Sequence, residues 1–211
     1  MPKMKLYDLA LSGHSHRVRL LASLLNITIE LVPVDLLNGA HKQPDYLAKN
    51  PFGQVPTLVD GDVTLYDSNA ILVYLASRFD PARTWLPESP ELAAQVQIWL
   101  SKAANELASG PGAARLIAIF GAPLDKESVQ AKSHALFAVM NQHLAERTWF
   151  VGQTPTIADV ALYSYTAHAP EGGIDLREYP HIVRWVEAIE RLPGFVAMPD
   201  TDTDAKLALE N

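Results

Sequence analysis

The chain has 211 residues, 48% hydrophobic and 19% charged, an ordinary balance that can bury a core in one large domain or two small ones. A net charge of −7 argues against nucleic-acid or anionic-membrane partners, since both need basic patches. With no cysteine, the chain can form no disulfide, thiolate metal site or cysteine nucleophile, and any sulfur chemistry must use a ligand's thiol.

The opening residues, Met1-Pro2-Lys3-Met4-Lys5, lack the apolar core of a signal peptide, and no run approaches a membrane span. A cytoplasmic protein is expected. Lys5 to Ala10 reads as a strand. Ser12-Gly13-His14-Ser15 reads as a turn, with Ser15 as the expected N-cap of a helix marked by Val18, Leu20, Leu21, Leu24 and Leu25. Ile29 to Val34 is apolar and β-branched enough for a buried second strand. Strand, helix and strand at this spacing predict a parallel βαβ unit with a right-handed crossover. Residues 35–50 form a polar connection holding Gly39, the pair His41-Lys42 and a short helix around Pro44 to Lys49. Pro51-Phe52-Gly53 is a loop, Val55-Pro56 opens a short strand, and Asp60-Gly61 is the strongest hairpin signal in the chain. A return strand follows at Val63 to Leu65. Asp67-Ser68 then caps a helix bearing Ile71, Leu72, Tyr74, Leu75 and Phe79.

Three prolines between residues 80 and 90 predict a linker, with Trp85 and Leu86 packed on a domain seam. Strand signals then vanish. Glu91 to Ala108 is predicted helical, with Leu92, Val96, Trp99, Leu100 and Leu107 as its apolar positions, and Gly110-Pro111-Gly112 is expected to break it. Further helices are predicted over Lys126 to Arg147, after Thr156, and over His181 to Arg191. Thr156 with Asp159 has the spacing of a capping box, which is folding chemistry and not catalysis. The tail from Pro199 is polar, and poor order is expected there. The domains expected are an α/β unit over 1–80, a linker over 81–91 and an all-helical unit over 92–211.

Pro56 is informative because an X-Pro bond adopts the cis form at a cost of only about 0.5–1 kcal/mol. A cis bond there would turn the Val55 N–H and C=O away from the sheet, free to pair with a short extended peptide. Asp67 suits an ammonium, and the amides of the helix starting at Ser68 suit a carboxylate. The same residues also read as a plain hairpin and a capped helix. His14 and His16 are two apart with no third ligand at recognisable spacing, so no metal site is expected and an exposed helix start is. His134, His143, His168 and His181 are scattered along helical stretches, where solvated or satisfied roles are expected.

An α/β unit followed by helices, together with Asn50-Pro51-Phe52-Gly53-Gln54-Val55-Pro56-Thr57-Leu58 and Asp67-Ser68-Asn69-Ala70-Ile71, resembles the glutathione transferase superfamily over nearly the whole chain. The resemblance implies an N-terminal thioredoxin-like βαβ-ββα domain, a C-terminal helical bundle, a homodimer, and glutathione as co-substrate without a metal. Ser12-Gly13-His14-Ser15-His16-Arg17-Val18-Arg19 is similar to the serine-type classes, theta, delta and zeta. In those a serine at the Ser12 position binds the thiol, which makes Ser12 the implied catalytic residue. Ser15 is the rival donor. Gly13 and His14 stand where the zeta class has a second serine and a cysteine, which argues against a zeta-type maleylacetoacetate isomerase. Tyr7 lies inside the first strand, too early to imitate a catalytic tyrosine.

The resemblance further implies that Val55, beside Pro56, pairs with the cysteinyl backbone and that Asp67 and Ser68 hold the γ-glutamyl end. His41, Lys42 and Gln54 are implied near the glycyl carboxylate, although an exposed polar loop explains His41-Lys42 equally well. Ser101, Ala104, Asn105 and Leu116 are candidates for the wall against a second, apolar substrate, and core packing accounts for the apolar ones as well. The implied function is a detoxifying transferase that activates the glutathione thiol for attack on a hydrophobic electrophile. A glutathione-dependent isomerase or peroxidase on the same site, and a non-catalytic binding protein of the same fold, are the alternatives.

Overall fold

Strands β1 (Lys5–Asp8) and β2 (Glu30–Pro33) flank helix α1 (Gly13–Leu24) and pair in parallel, with Leu6 opposite Leu31. This is the βαβ unit predicted. The computed structural model describes residues 4–199 and 201, and most of the tail from Pro199 lies outside them. A 3-10 turn over Ala40–Lys42 and the short helix α2 (Pro44–Leu47) follow β2. Strands β3 (Thr57–Asp60) and β4 (Val63–Tyr66) form an antiparallel hairpin that leads into helix α3 (Ser68–Phe79). Asp60 pairs with Val63, so the turn is Gly61-Asp62, one residue later than the sequence signal. Gly61 there takes φ +60°, a conformation glycine adopts without a Cβ penalty. The sheet order is β2-β1-β3-β4, with β3 antiparallel to β1, which makes the first half a thioredoxin-like domain.

The second half is helical. It comprises α4 (Pro90–Lys102), a wide-turned π segment (Ala103–Gly112), α5 (Ala113–Phe120), α6 (Lys126–His143), α7 (Ile157–Ala167) and α8 (Pro180–Glu190). The break expected at Gly110-Pro111-Gly112 does not occur. A proline in an α-helix lacks the N–H for its bond and crowds the carbonyl four residues back. The wider π turn relaxes that four-residue pairing, so the chain stays helical through Pro111. Gly110 serves packing instead: a Cβ there would stand 3.1 Å from Ser133 Oγ and 3.2 Å from Ser133 N on α6. The predicted capping box is present at the start of α7.

Helix α1 explains how the halves are joined. Its residues Ser15, His16, Arg17, Val18, Leu20 and Leu21 are all fully buried, because α3 covers one side and α7 the other. An exposed start for this helix is therefore incorrect. His16 Nδ1 lies 2.9 Å from Ser164 Oγ on α7, and its Nε2 lies 2.8 Å from the Val196 carbonyl. At the linker, Ile157 N–H donates to the Trp85 carbonyl at 2.9 Å. Among the described residues, no helix is long and apolar enough to cross a membrane.

Candidate active site

Ser12, not Ser15, caps α1. Its backbone is extended at φ −80°, and its Oγ accepts the Ser15 N–H at 3.2 Å. Ser15 instead lies inside the first turn, fully buried, with its Oγ lacking a partner among the described residues. Both serines satisfied the sequence rule. Ser12 prevails because the helix begins three residues earlier than the apolar periodicity suggested. Capping uses a lone pair of the Ser12 hydroxyl and leaves its proton free to donate. The first-turn amides add the positive end of the helix dipole at the same place.

The second edge of the site is the loop before β3. The Val55–Pro56 bond is cis, and β3 pairing starts only at Thr57. Asn50 and Tyr46 hold the approach to it: Asn50 Nδ2 and Tyr46 Oη both donate to the Gln54 carbonyl, each at 2.7 Å. The Phe52 N–H donates to Asn50 Oδ1 at 3.0 Å. Gly53 combines φ +59° with close approach, since a Cβ there would lie 3.0 Å from the His41 carbonyl. His41 Nδ1 is buried without a partner among the described residues.

The third edge is the start of α3. Asp67 sits at φ +69°, unusual for a residue with a side chain. Its Oδ1 accepts both the Asn69 and Ala70 amides, at 2.8 and 3.3 Å, which leaves Oδ2 for an ammonium. Beneath it, fully buried Arg17 donates to Ser68 Oγ at 3.2 Å and Asn69 Oδ1 at 3.0 Å. Arg17 can only donate, so Ser68 accepts from it and keeps its own proton to give. His14 Nδ1 lies 3.4 Å from Ser68 Oγ. Burial, followed by the charge of Arg17, pushes His14 down to about 3, so this imidazole is neutral.

These three edges enclose a cleft of about 1070 Å³ between the sheet domain and the π segment–α5 wall. Ser12, His41, Gln54, Val55, Pro56, Asp67, Ser68 and Leu116 all line it. Lys42 does not: it ends the 3-10 turn and points outward, exposed. Ser101, Ala104 and Asn105 are also exposed and outside the cleft, so placing them on its wall is incorrect. The wall begins a turn later, at Ala108, Gly112, Leu116 and Phe120, spaced four apart along one face. Among the described residues, no group of three histidines or carboxylates gathers to hold a metal ion.

Residues 2–77 match the glutathione S-transferase N-terminal domain, and residues 117–193 match the glutathione S-transferase C-terminal domain. The chain belongs to the glutathione S-transferase family. It is 35% identical over 207 residues to Glutathione S-transferase 3 of Zea mays, covering 92% of each chain. The crystal structure of glutathione S-transferase from Pseudomonas fluorescens Pf-5 superposes with a TM-score of 0.88 at 32% identity, covering 93% of this chain and 99% of that one. A glutathione transferase homologue from Drosophila mojavensis, solved with bound glutathione, superposes with a TM-score of 0.83 at 26% identity, covering 92% and 90%.

In this member of the glutathione S-transferase family, three more residues line the cleft: His14, which the sequence pattern placed at an exposed helix start, and Arg115 and Tyr165, to which it gave no role in the site. Arg115 is 3% exposed; its Nη1 donates to the Leu11 carbonyl at 2.6 Å, and its Nε donates to Glu171. It therefore ties the helical wall to the residue preceding Ser12. The available signal was a lone charge inside the apolar run Ala113-Ala114-Arg115-Leu116-Ile117. Tyr165 belongs to the capping-box helix and gave no separate signal of its own.

Proposed function

We propose that this chain is a glutathione S-transferase that activates the glutathione thiol for attack on a hydrophobic electrophile. The observation that carries the reading is the meeting of a capping hydroxyl, an unpaired strand edge and a second helix start in one cleft. Ser12 is the catalytic residue in this reading. Val55, beside Pro56, pairs with the cysteinyl backbone. Asp67 Oδ2 takes the γ-glutamyl ammonium, and Ser68 takes its carboxylate. His41 and Gln54 receive the glycyl carboxylate, with Lys42 acting at longer range. Leu116 and its neighbours along α5 face the electrophile.

A free thiol titrates near 8.5, so only a few per cent is thiolate at pH 7. Lowering that value by about 2 units requires about 2.7 kcal/mol of preferential thiolate stabilisation. One charge-assisted hydrogen bond from Ser12 plus the α1 dipole is of that size. The thiol proton passes to solvent. The sulfur lone pair then forms the bond to carbon, and the leaving group departs with its electron pair. Proximity and exclusion of water by the apolar wall supply the remaining acceleration.

The domain division that goes with this reading is a glutathione-binding unit over 1–80, a linker over 81–91 and a helical unit over 92–211. A cytoplasmic homodimer with a role in detoxification completes it. Support for self-association comes from apolar side chains left open on both halves, Phe52 at 71% and Ile98 at 55% exposure. Sedimentation of the purified protein tests that part.

The deciding experiment is Ser12→Ala. Conjugation of a model electrophile should fall by more than about tenfold while glutathione still binds, because the variant loses a thiolate donor but keeps the peptide contacts. An unchanged rate would remove Ser12 from the mechanism.

A further inference from the structure

Gly13 follows the capping serine directly, yet its backbone is helical and does not require glycine. Space requires it. A Cβ on Gly13 would lie 2.7 Å from Cε1, 2.8 Å from Cζ and 3.0 Å from Cδ1 of Tyr165. The missing side chain thus admits the hydroxyl-bearing end of a ring carried by α7. On the opposite side the ring lies beside Gly112, where a Cβ would stand in ordinary contact, 3.5 Å from its Cδ2 and Cε2. His14 packs edge-on against it, with centroids 5.0 Å apart, and the Arg17 guanidinium lies 6.0 Å from its centre. Tyr165 is therefore clamped at the mouth of α1, and it lines the same cleft as Ser12.

The Gly13 and His14 amides and the Arg17 and Arg115 guanidinium groups are all donors or cations. Burial outweighs them and pushes the phenol above its usual value, so the hydroxyl keeps its proton at neutral pH. An oxygen that accepts from such donors keeps its own proton to give, and the residue lines the cleft.

We propose that Tyr165 is a second catalytic donor to the glutathione sulfur, alongside Ser12. The thiol gives its proton to solvent. The thiolate then accepts one hydrogen bond from Ser12 Oγ and one from Tyr165 Oη, and both hydroxyls keep their protons. As the sulfur lone pair forms the new bond to carbon, both hydrogen bonds weaken and the leaving group takes its electron pair away. The inference rests on the reading of the cleft as a glutathione site. It assigns a chemical use to Gly13, where the chain departs from the zeta-class pattern.

The test titrates the ultraviolet thiolate band of glutathione bound to the full chain, with wild type, Tyr165→Phe and Gly13→Ala compared. Tyr165→Phe keeps the ring and removes only the hydroxyl. At a pH below the wild-type thiol pKa, its thiolate fraction should fall about three- to tenfold, with glutathione affinity within about twofold of wild type. Gly13→Ala should shift the titration in the same direction by displacing the ring. A depressed thiol pKa in wild type that is unchanged in Tyr165→Phe overturns this inference and leaves the cleft reading intact. Failure of wild type to bind glutathione overturns both.

Discussion

Asp159 accepts four hydrogen bonds on two oxygens. Oδ1 takes the Phe150 N–H and Trp185 Nε1, each at 3.0 Å, while Oδ2 takes the Thr156 N–H at 2.8 Å and its hydroxyl at 3.2 Å. The residue is fully buried, so these donors have no solvent to turn to. Asp159→Ala should cost roughly 3–5 kcal/mol, well above the approximately 1 kcal/mol of an ordinary cap, because it strands buried donors. Urea denaturation measures this, and a loss of 1 kcal/mol or less would reduce Asp159 to a simple cap. The Thr156–Asp159 pair was readable because a capping box is a local pattern. Its bonds to Phe150 and Trp185 were not, since they join residues 9 and 26 positions away. The same division holds for Ser12 and Ser15. Two serines three apart both fit a cap, and only the packing of α1 against α3 and α7 decides between them.

At the scale of elements, turns and local periodicity carried far. The βαβ unit, the hairpin and the α3 cap follow from residues adjacent in sequence. The π segment did not, because glycine-proline-glycine is a strong breaker by local rules, and here a wide turn accommodates Pro111 while Gly110 packs closely on α6. Of the expected substrate wall, Ser101, Ala104, Asn105 and Leu116, only Leu116 lines the cleft, where Ala108, Gly112 and Phe120 join it. A second close approach of this kind supports the wall from behind. Gly172 ends a 3-10 turn over Ala169–Gly172, and a Cβ on it would lie 2.6 Å from Ala114 Cβ and 2.9 Å from the Ala114 carbonyl carbon. Backbone cannot yield as a flexible side chain does. Gly172→Ala should therefore destabilise by about 1–3 kcal/mol and loosen the Arg115–Glu171 pair next to it. An unchanged urea midpoint would show that the turn can move aside.

Over the whole molecule, the seam between halves carries a dependence on acidity. Burial, with contributions from Arg19, His168 and Arg17, holds His16 down at about 3 against an ordinary 6.5, while its bond to the Val196 carbonyl opposes the shift. Folded His16 stays neutral to about 3, whereas the unfolded chain takes up the proton near 6.5. The unfolded state therefore binds more protons in that window, and stability falls as pH drops below 6.5. The slope from His16 alone should approach 1.4 kcal/mol per pH unit, roughly, once the unfolded histidine is protonated. His14, also held at about 3, adds a comparable slope. Urea midpoints between pH 7 and 5 read this above the main carboxylate range, and His16→Asn should remove about half of the histidine dependence. A midpoint constant over that span in wild type would contradict the account. None of this was legible beforehand, because the pattern around His16 said surface while the second layer of helices made it interior.

Gly13 and Tyr165 sit 152 positions apart and yet share one volume, which bears on how such chains can exchange parts. Grafting this sheet domain onto a foreign bundle with a small residue in place of the ring would open a void beside the capping serine. Grafting this bundle under a sheet domain with any side chain after its serine would produce a collision. Inheritance by recombination thus crosses the seam intact only when both positions arrive from the same parent.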